Sequence, residues 1–287
     1  MYEAYFGLHT SPFRINPDPD FYFESQGHGS ALRYLRFGAY QGEGFLVLSG
    51  DIGAGKTTLL QALLAELDPA RVEAAQLVST QLAPGELLAS VAIAFGLVAD
   101  AMSKARLLAA LEARFAALAA QGRRALLIVD EAQNLSIEAI EELRMLSNFQ
   151  RGNRQLLQSF LVGQPELRAR LQGPRMEQLR QRVIASCHLG ALNAAETRAY
   201  VEHRLRHAGW SGRPEIDPRA FAVLHRFTGG VPRRINMVCG RALLSLYLDE
   251  ADHLDAARVE RIAVEIAGEL GAQPQDESPR LPTFQEP

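Results

Sequence analysis

Short apolar runs alternate with segments of helical periodicity through the first two thirds of the chain. Runs of this kind are typical of buried strands, and helical segments recur between them. We expect strands at 45–49, 72–78, 125–129, 156–162 and, more briefly, 187–189. We expect helices near 30–40, 58–64, 84–95, 103–120 and 136–148. Because strands that alternate with helices are joined by crossovers, the pattern predicts an α/β fold with a parallel sheet between helical layers.

The pattern changes after residue 192, and this change predicts a domain boundary. Helical periodicity continues alone, at 194–208, 217–227, 232–248 and 255–268, with Gly and Pro at the breaks. We therefore expect an α/β domain over 26–191 and a small all-helical lid domain over 192–270. Residues 1–25 are aromatic and proline-rich, which favours an ordered arm packed on the core. Residues 271–287 contain four prolines and few apolar residues, and we expect a disordered tail.

Composition narrows the class of protein. The 287 residues are 47% hydrophobic and carry a net charge of −3, which argues against a protein that mainly coats nucleic acid. The two cysteines, Cys187 and Cys239, have no metal-binding or disulfide spacing. The first residues lack the features of a signal peptide, and no apolar run approaches the ~20 residues of a membrane span. We expect a cytoplasmic protein.

The most informative motif is the phosphate-binding loop G-x-x-x-x-G-K-[ST] at 50–57, between a predicted strand and a predicted helix. Its glycines permit a tight turn whose backbone N–H groups bind anions at a helix N-terminus. Lys56 is expected to reach the β- and γ-phosphates of ATP, and Thr57 to bind Mg²⁺. The alternative is an ordinary glycine-rich turn. The predicted nucleotide-binding residues are Gly50, Asp51, Ile52, Gly53, Ala54, Gly55, Lys56, Thr57 and Thr58.

A second motif follows the aliphatic strand at 125–129, where Asp130 and Glu131 come at its carboxyl end. We expect Asp130 to hold Mg²⁺ and Glu131 to polarise the attacking water. A carboxylate poised over water favours hydrolysis, whereas P-loop kinases transfer the phosphate to a bound acceptor. The alternative is that the two carboxylates only cap the helix that begins near residue 136.

Three further positions complete the predicted site. Gln164 follows the strand at 156–162 and is a candidate sensor of the γ-phosphate, although Gln-Pro is also ordinary turn chemistry. Arg182, with Arg180 in reserve, precedes the last strand, from where it could act in trans on a neighbouring subunit's nucleotide. Arg233 follows a Gly-Gly-Val-Pro turn and could contact the γ-phosphate from the helical domain. Each arginine taken alone could equally be a solvated surface residue.

These motifs, in this order, resemble those of AAA+ ATPases across nearly the whole chain. The segments 2–19, 129–135 and 161–167 resemble the general secretion pathway protein A (ExeA-like) family. Within that family, 142–150 and 178–186 resemble the ATPase encoded with exosortase XrtA and PEP-CTERM sorting systems. The resemblance implies ATP hydrolysis, with Mg²⁺, by a homo-oligomer such as a ring that supports exopolysaccharide export or secretion.

The same resemblance suggests which partners to expect, and other functions remain as alternatives. ExeA proteins carry a transmembrane segment and a peptidoglycan-binding domain that are not seen here, so we expect a peripheral position at the inner membrane through a membrane-embedded partner. Alternatives are a DNA-associated regulator related to transposition ATPases, a nucleotide-gated scaffold with little hydrolysis, and a small-molecule P-loop kinase. The arginines that could contact nucleic acid are Arg198, Arg204, Arg206 and Arg241, but the chain has no strong positive charge and no helix-turn-helix to support that role. His203 and His207 have a metal-compatible spacing, but neighbouring arginines disfavour a cation there.

Overall fold

The structure, a computed structural model, describes residues 1–78 and 83–269. The described chain forms two compact units. The first is an α/β unit of residues 16–191, and the second is a helical unit of residues 1–15 together with the described residues from Leu192 onward. The predicted arm at 1–25 is thus divided between the two units. The predicted tail at 271–287 lies outside the described residues.

The strands and helices are numbered in chain order. The strands are β1 (Phe45–Gly50), β2 (Val72–Val78), β3 (Arg124–Asp130), β4 (Gln150–Arg151), β5 (Arg154–Gln155), β6 (Leu157–Gly163), β7 (Val183–Leu189), β8 (Glu215–Ile216) and β9 (His253–Leu254). The helices are α1 (Tyr2–Tyr5), α2 (Gln26–Gln41), α3 (Lys56–Glu66), α4 (Pro84–Ala94), α5 (Lys104–Ala120), α6 (Ile137–Leu146), α7 (Pro165–Leu171), α8 (Glu177–Arg180), α9 (Ala194–His207), α10 (Pro218–Thr228), α11 (Pro232–Leu248) and α12 (Ala256–Glu269).

The α/β unit is built on a five-stranded sheet in the order β2-β3-β6-β1-β7. Every neighbouring pair in this sheet is parallel. Successive residues of β3 pack into different cores: Leu126 and Ile128 lie with α2 and α3, whereas Leu127 and Val129 lie with α4 to α7. Both faces of the sheet are therefore covered, as parallel sheets require. The predicted three-layer α/β/α fold is confirmed.

The register of the strands brings three chain segments to one edge of the sheet. Ser49 near the end of β1 pairs with Gly163 at the end of β6, and Val129 near the end of β3 pairs with Leu161. The residues that follow β1, β3 and β6 all leave the sheet at this carboxyl edge. Ligand sites of open α/β sheets form at this edge.

Three local features differ from the predicted elements. The strand β7 begins at Val183, well before the predicted start at 187. Its residues alternate between exposed and half-buried, as expected of a strand at the edge of a sheet. A short antiparallel hairpin, β4–β5, turns at Gly152, whose φ is +63°. The region after residue 193 is not purely helical, since β8 and β9 form a two-residue parallel pair.

The helical unit contains α9 to α12 together with the first 15 residues of the chain. The N-terminal segment is attached by hydrogen bonds to the backbone and by buried side chains. His9 N–H donates to the Ala208 carbonyl at 2.9 Å, and the buried Arg204 Nε donates to the Pro12 carbonyl at 2.5 Å. This attachment explains why residues 1–15 belong with a segment almost 200 positions later.

Candidate nucleotide-binding site

The phosphate-binding loop lies between β1 and α3, as its motif predicts. Gly53 and Gly55 have φ values of +81° and +100°, in the left-handed region that favours glycine. Gly55 is also the N-cap of α3 and provides no side chain to occupy the first backbone N–H groups of the helix. Those N–H groups, together with the positive end of the helix dipole, make this turn suited to binding an anion.

Lys56 is buried beside this loop, with only 8% of its surface exposed. Its Nζ donates hydrogen bonds to the carbonyls of Gly50 at 2.7 Å and Asp51 at 3.0 Å. Burial lowers the pKa of Lys56, while the charges of Glu131 and Asp130 oppose that shift. The ammonium and these two carboxylates therefore interact electrostatically across the carboxyl edge of the sheet.

Asp130 is the last residue of β3 and is buried. One carboxylate oxygen, Oδ1, accepts a hydrogen bond from the Glu131 N–H at 2.9 Å. Burial raises the pKa of Asp130, that hydrogen bond lowers it, and the charge of Glu131 raises it further. The buried carboxylate of Asp130 and the half-buried hydroxyl of Thr57 supply oxygen donors of the kind that Mg²⁺ prefers, so the residues present fit that ion.

Glu131 has an unusual backbone conformation for a residue with a side chain. Its φ of +52° and ψ of +36° lie in the left-handed region, which costs a non-glycine residue about 1–2 kcal/mol. Its carboxylate Oε2 accepts hydrogen bonds from Gln133 Nε2 at 2.5 Å and from Gln164 Nε2 at 3.4 Å. Strained residues of this kind concentrate at functional sites, where surrounding contacts hold them in place.

Gln164 is the N-cap residue of α7, directly after β6. Its side chain reaches the carboxylate of Glu131, so the predicted sensor and the predicted water-polarising residue are in contact. The exposed Glu166, in the first turn of the same helix, is also close enough to raise the pKa of Lys56. The structure therefore places Lys56, Asp130, Glu131 and Gln164 together.

His28 is a residue of this region that the sequence did not indicate. It lies in α2, is buried, and its Nε2 donates to the Ala54 carbonyl of the phosphate-binding loop at 3.0 Å. Its Nδ1 pairs with the Ser25 hydroxyl at 2.7 Å. A Cβ atom on Gly55 would lie 2.8 Å from the His28 Nε2, so the loop approaches this ring closely. The only local signal is the helix start at Ser25, which says nothing about a partner 26 positions away.

The arginines predicted to act in trans lie near the amino ends of the sheet strands, opposite the carboxyl ends where the phosphate-binding loop lies. Arg182 precedes β7, whose first residue pairs with Phe45 at the start of β1. Strands of six or seven residues separate the two edges by roughly 17–20 Å. The Arg182 Nη1 donates to the Ser147 hydroxyl at 2.7 Å, and the Arg180 Nη1 donates to the Leu171 and Gly173 carbonyls. Neither arginine is near the phosphate-binding loop of its own chain.

Arg233 lies in the first turn of α11 in the helical unit, and it is exposed. The preceding turn requires glycine, because Gly229 and Gly230 have φ values of +60° and +70°.

In the same unit, the rings of His203 and His207 stack with their centroids 6.4 Å apart. Across the described ranges, no group of three or more His, Cys, Asp or Glu side chains is arranged to hold a metal ion.

Comparisons with known proteins agree with this architecture. The family model described as "AAA domain" matches residues 39–171. The chain is 38% identical, over 269 residues, to "General secretion pathway protein A" of Aeromonas hydrophila, an alignment that covers 93% of this chain and 49% of that protein. The chain thus spans about half the length of this relative.

In the part of the chain that the structure describes, no helix is both long enough and apolar enough to cross a membrane.

Solved structures with the same fold are much more distant in sequence. The ORC2 protein of Aeropyrum pernix is 18% identical with a TM-score of 0.62, covering 86% of this chain and 70% of that one. RuvB of Thermotoga maritima, a Holliday junction branch migration motor, is 16% identical with a TM-score of 0.54, covering 93% and 88%. The sheet order, the loop between β1 and α3 and these similarities identify the fold as the parallel-sheet P-loop NTPase fold seen in AAA+ structures, and the match to the AAA domain model over residues 39–171 agrees with it.

Proposed function

We propose that this protein binds ATP with Mg²⁺ and hydrolyses it. The observation that carries the proposal is the grouping of Lys56, Asp130 and Glu131 at one edge of the sheet, close enough for their charges to influence one another. A buried ammonium, an anion-binding turn and two carboxylates suit a substrate that is a metal-bound polyphosphate. The ORC2 structure of the same fold contains ADPNP and ADP, which agrees with nucleotide binding by this fold.

Each residue has a separate proposed role. The loop N–H groups and Lys56 bind the β- and γ-phosphates, while Thr57 and Asp130 would hold Mg²⁺, which offsets the charge of the phosphates. Gln164 contacts the γ-phosphate. Glu131 orients a water molecule and accepts a hydrogen bond from it.

The reaction balances without any further reactant. The water oxygen forms a bond to the γ-phosphorus, and the bond from that phosphorus to the β–γ bridging oxygen breaks. ADP leaves with the bonding electron pair, and the water proton passes through Glu131 to solvent. Hydrolysis rather than transfer to an acceptor is favoured because the Glu131 carboxylate, which contacts Gln164, is proposed to polarise a water molecule.

The first experiment compares Glu131→Gln with the parental protein. Glutamine keeps the size of the side chain but cannot accept a proton, so we expect hydrolysis to fall by about 10²–10⁴-fold. Bound ATP should be retained, measured by filtration of labelled nucleotide. Glu138→Gln, an exposed carboxylate in α6, is the matched control and should hydrolyse at the parental rate. Parental turnover in Glu131→Gln would show that the assignment is wrong.

We further propose that hydrolysis requires a second copy of the chain, whose Arg182 completes the nucleotide site. Arg182 lies near the amino ends of the strands, away from the phosphate-binding loop of its own chain, and this position supports a role in a neighbouring subunit. Single-turnover hydrolysis should therefore accelerate with protein concentration. Arg182→Ala and Lys56→Ala proteins, each inactive alone, should recover activity when mixed, since mixed assemblies contain intact sites.

The control for this experiment is Arg180→Ala mixed in the same way. If Arg180→Ala is inactive and complemented by Lys56→Ala while Arg182→Ala is fully active, the trans-acting role belongs to Arg180. Absence of complementation in both mixtures, or a rate independent of concentration, would reject the intersubunit site.

The process driven by hydrolysis is proposed from resemblance. The relative named "General secretion pathway protein A" supports a role in secretion, and the finer motif resemblance favours exopolysaccharide export linked to exosortase substrates. We propose that the protein acts peripherally at the inner membrane through a membrane-embedded component. Co-purification with such a component in the ATP state, tested with Glu131→Gln, would support this proposal. DNA-stimulated turnover that falls steeply with added salt would instead favour the DNA-associated alternative.

A further inference from the structure

The side chain of Gln133 forms a bridge between two elements of the candidate site. Its Nε2 donates to the Glu131 Oε2 at 2.5 Å, and its Oε1 accepts from the Gln164 backbone N–H at 3.0 Å. One amide group thus contacts both the carboxylate after β3 and the first residue after β6. The direct bond between the Gln164 and Glu131 side chains, at 3.4 Å, is longer than either of these.

The surroundings of Gln133 are built closely around this bridge. A Cβ on Gly163 would lie 2.5 Å from the Gln133 Oε1 and 3.3 Å from its backbone N, so the glycine leaves the space that the amide occupies. The backbone of Gln133 lies in the one-turn helix Ala132–Asn134, and its carbonyl accepts a hydrogen bond from Arg170 Nη1 at 2.7 Å. Both the main chain and the side chain of Gln133 are therefore held.

We propose that Gln133 is a positioning residue that fixes the orientation of the Glu131 carboxylate and ties it to the position of Gln164. This inference rests on the proposed hydrolysis. The amide is planar, so its N–H and C=O directions are fixed relative to each other. A shift of Gln164 against the γ-phosphate consequently reorients Gln133 and, with it, the carboxylate that faces the attacking water.

The same contact explains how Glu131 keeps its strained backbone. A side chain that extends from a left-handed residue stays in one place only when its neighbours hold it. Gln133 donates the shorter hydrogen bond to that carboxylate, at 2.5 Å, and Gln164 donates the longer one, at 3.4 Å. Loss of Gln133 should therefore leave Glu131 present but misplaced, and misplacement of a reacting group by about 1 Å can cost about 10²-fold in rate.

Two substitutions separate the two halves of the bridge. Gln133→Ala removes both hydrogen bonds. Gln133→Glu keeps an oxygen that can accept the Gln164 N–H but replaces the donor to Glu131 with a second carboxylate. Gln172→Ala, an exposed glutamine at the end of α7, is the matched control.

The first measurement needs neither ATP nor turnover. Hydrogen exchange of the Gln164 backbone amide is followed by NMR in the nucleotide-free protein. We expect exchange to accelerate about tenfold in Gln133→Ala, because the amide loses its acceptor, and to stay within about threefold of the parental rate in Gln133→Glu and the control.

The second measurement is steady-state hydrolysis, with ATP affinity measured separately. We expect kcat to fall by about 10–100-fold in both Gln133 variants while the Kd for ATP changes less than about threefold. A purely structural role would instead lower ATP affinity together with kcat.

The outcomes separate this inference from the proposed function. Parental kcat in Gln133→Ala, or unchanged exchange of the Gln164 amide in that variant, would overturn the positioning role while leaving hydrolysis intact. A parental protein that binds ATP without turning it over would overturn both proposals. Loss of ATP affinity equal to the loss of kcat would show that Gln133 supports nucleotide binding and not the orientation of Glu131.

Discussion

Replacing Gly230 by alanine is expected to destabilise the helical unit strongly, because no space exists for a Cβ atom there. Such an atom would lie 1.9 Å from the Leu192 carbonyl oxygen and 2.9 Å from its carbon. These are backbone atoms, so a rotamer change cannot relieve the overlap. The Leu192 N–H also donates to the Gly230 carbonyl at 2.9 Å, which holds the two segments together.

The size of the effect has two parts. A φ of +70° costs a residue with a side chain about 1–2 kcal/mol relative to glycine. Moving the chain to remove the overlap costs a further 1–3 kcal/mol, as is typical of overpacked sites. We therefore expect Gly230→Ala to lower the free energy of unfolding of this unit by about 2–5 kcal/mol. Gly229→Ala is the matched control: its φ is +60° but its Cβ would meet no atom within 4 Å, so only the first part applies.

Trp210 makes the measurement specific to the helical unit. It is the only tryptophan of the chain, and its indole Nε1 donates to the Pro214 carbonyl at 3.0 Å. Urea unfolding followed by tryptophan fluorescence therefore reports on this unit. The Gly230→Ala transition should occur at clearly lower urea than the Gly229→Ala transition. Equal destabilisation in the two variants would refute the steric argument and leave only the cost of left-handed backbone.

Three other perturbations test the α/β unit. Lys56→Ala should weaken ATP binding by about 100-fold or more, measured by equilibrium dialysis, because charge-assisted hydrogen bonds to the phosphates are lost. His28→Ala should lower the free energy of unfolding by about 1–3 kcal/mol, seen in thermal unfolding with and without ATP, since the Ala54 carbonyl loses its buried donor. Asp130→Asn should stabilise the nucleotide-free protein at neutral pH, because a carboxyl whose folded pKa is raised opposes folding once it is ionised. That gain should disappear as pH falls below the ordinary carboxyl pKa of 3.8, and an Asn variant less stable than the parent in neutral urea unfolding would contradict the reasoning.

The main elements of the α/β unit were predictable because their signals are local. The strand at Val72–Val78 has the predicted bounds, and the apolar run before Asp130 lies in the strand Arg124–Asp130. Buried parallel strands are continuous apolar runs, and the helices between them have one apolar face. Both edge strands of the sheet are largely exposed or half-buried, yet Val72–Val78 was predicted over its full length whereas Val183–Leu189 was recognised only at its end.

The N-terminal segment shows where local signals are insufficient. Its aromatic and proline-rich composition predicted order but not a location. Residues 1–15 belong with the helical unit through contacts such as that of Arg204 with Pro12, whereas residues 16–25 belong with the α/β unit. No pattern within the first 25 residues indicates this division, since its partners lie almost 200 positions later.

The sequence by itself determined the phosphate-binding loop at 50–57, the carboxylates at the end of β3 and the alternation of strands and helices. Each depends on the order of neighbouring residues, and each therefore leaves a local pattern. Only the tertiary structure decided that Gln133 joins Glu131 to Gln164, and that His28 supports the loop at Ala54. These contacts depend on which strands are neighbours and where they end, and a hydrogen bond between residues 26 or 31 positions apart leaves no periodicity in the chain.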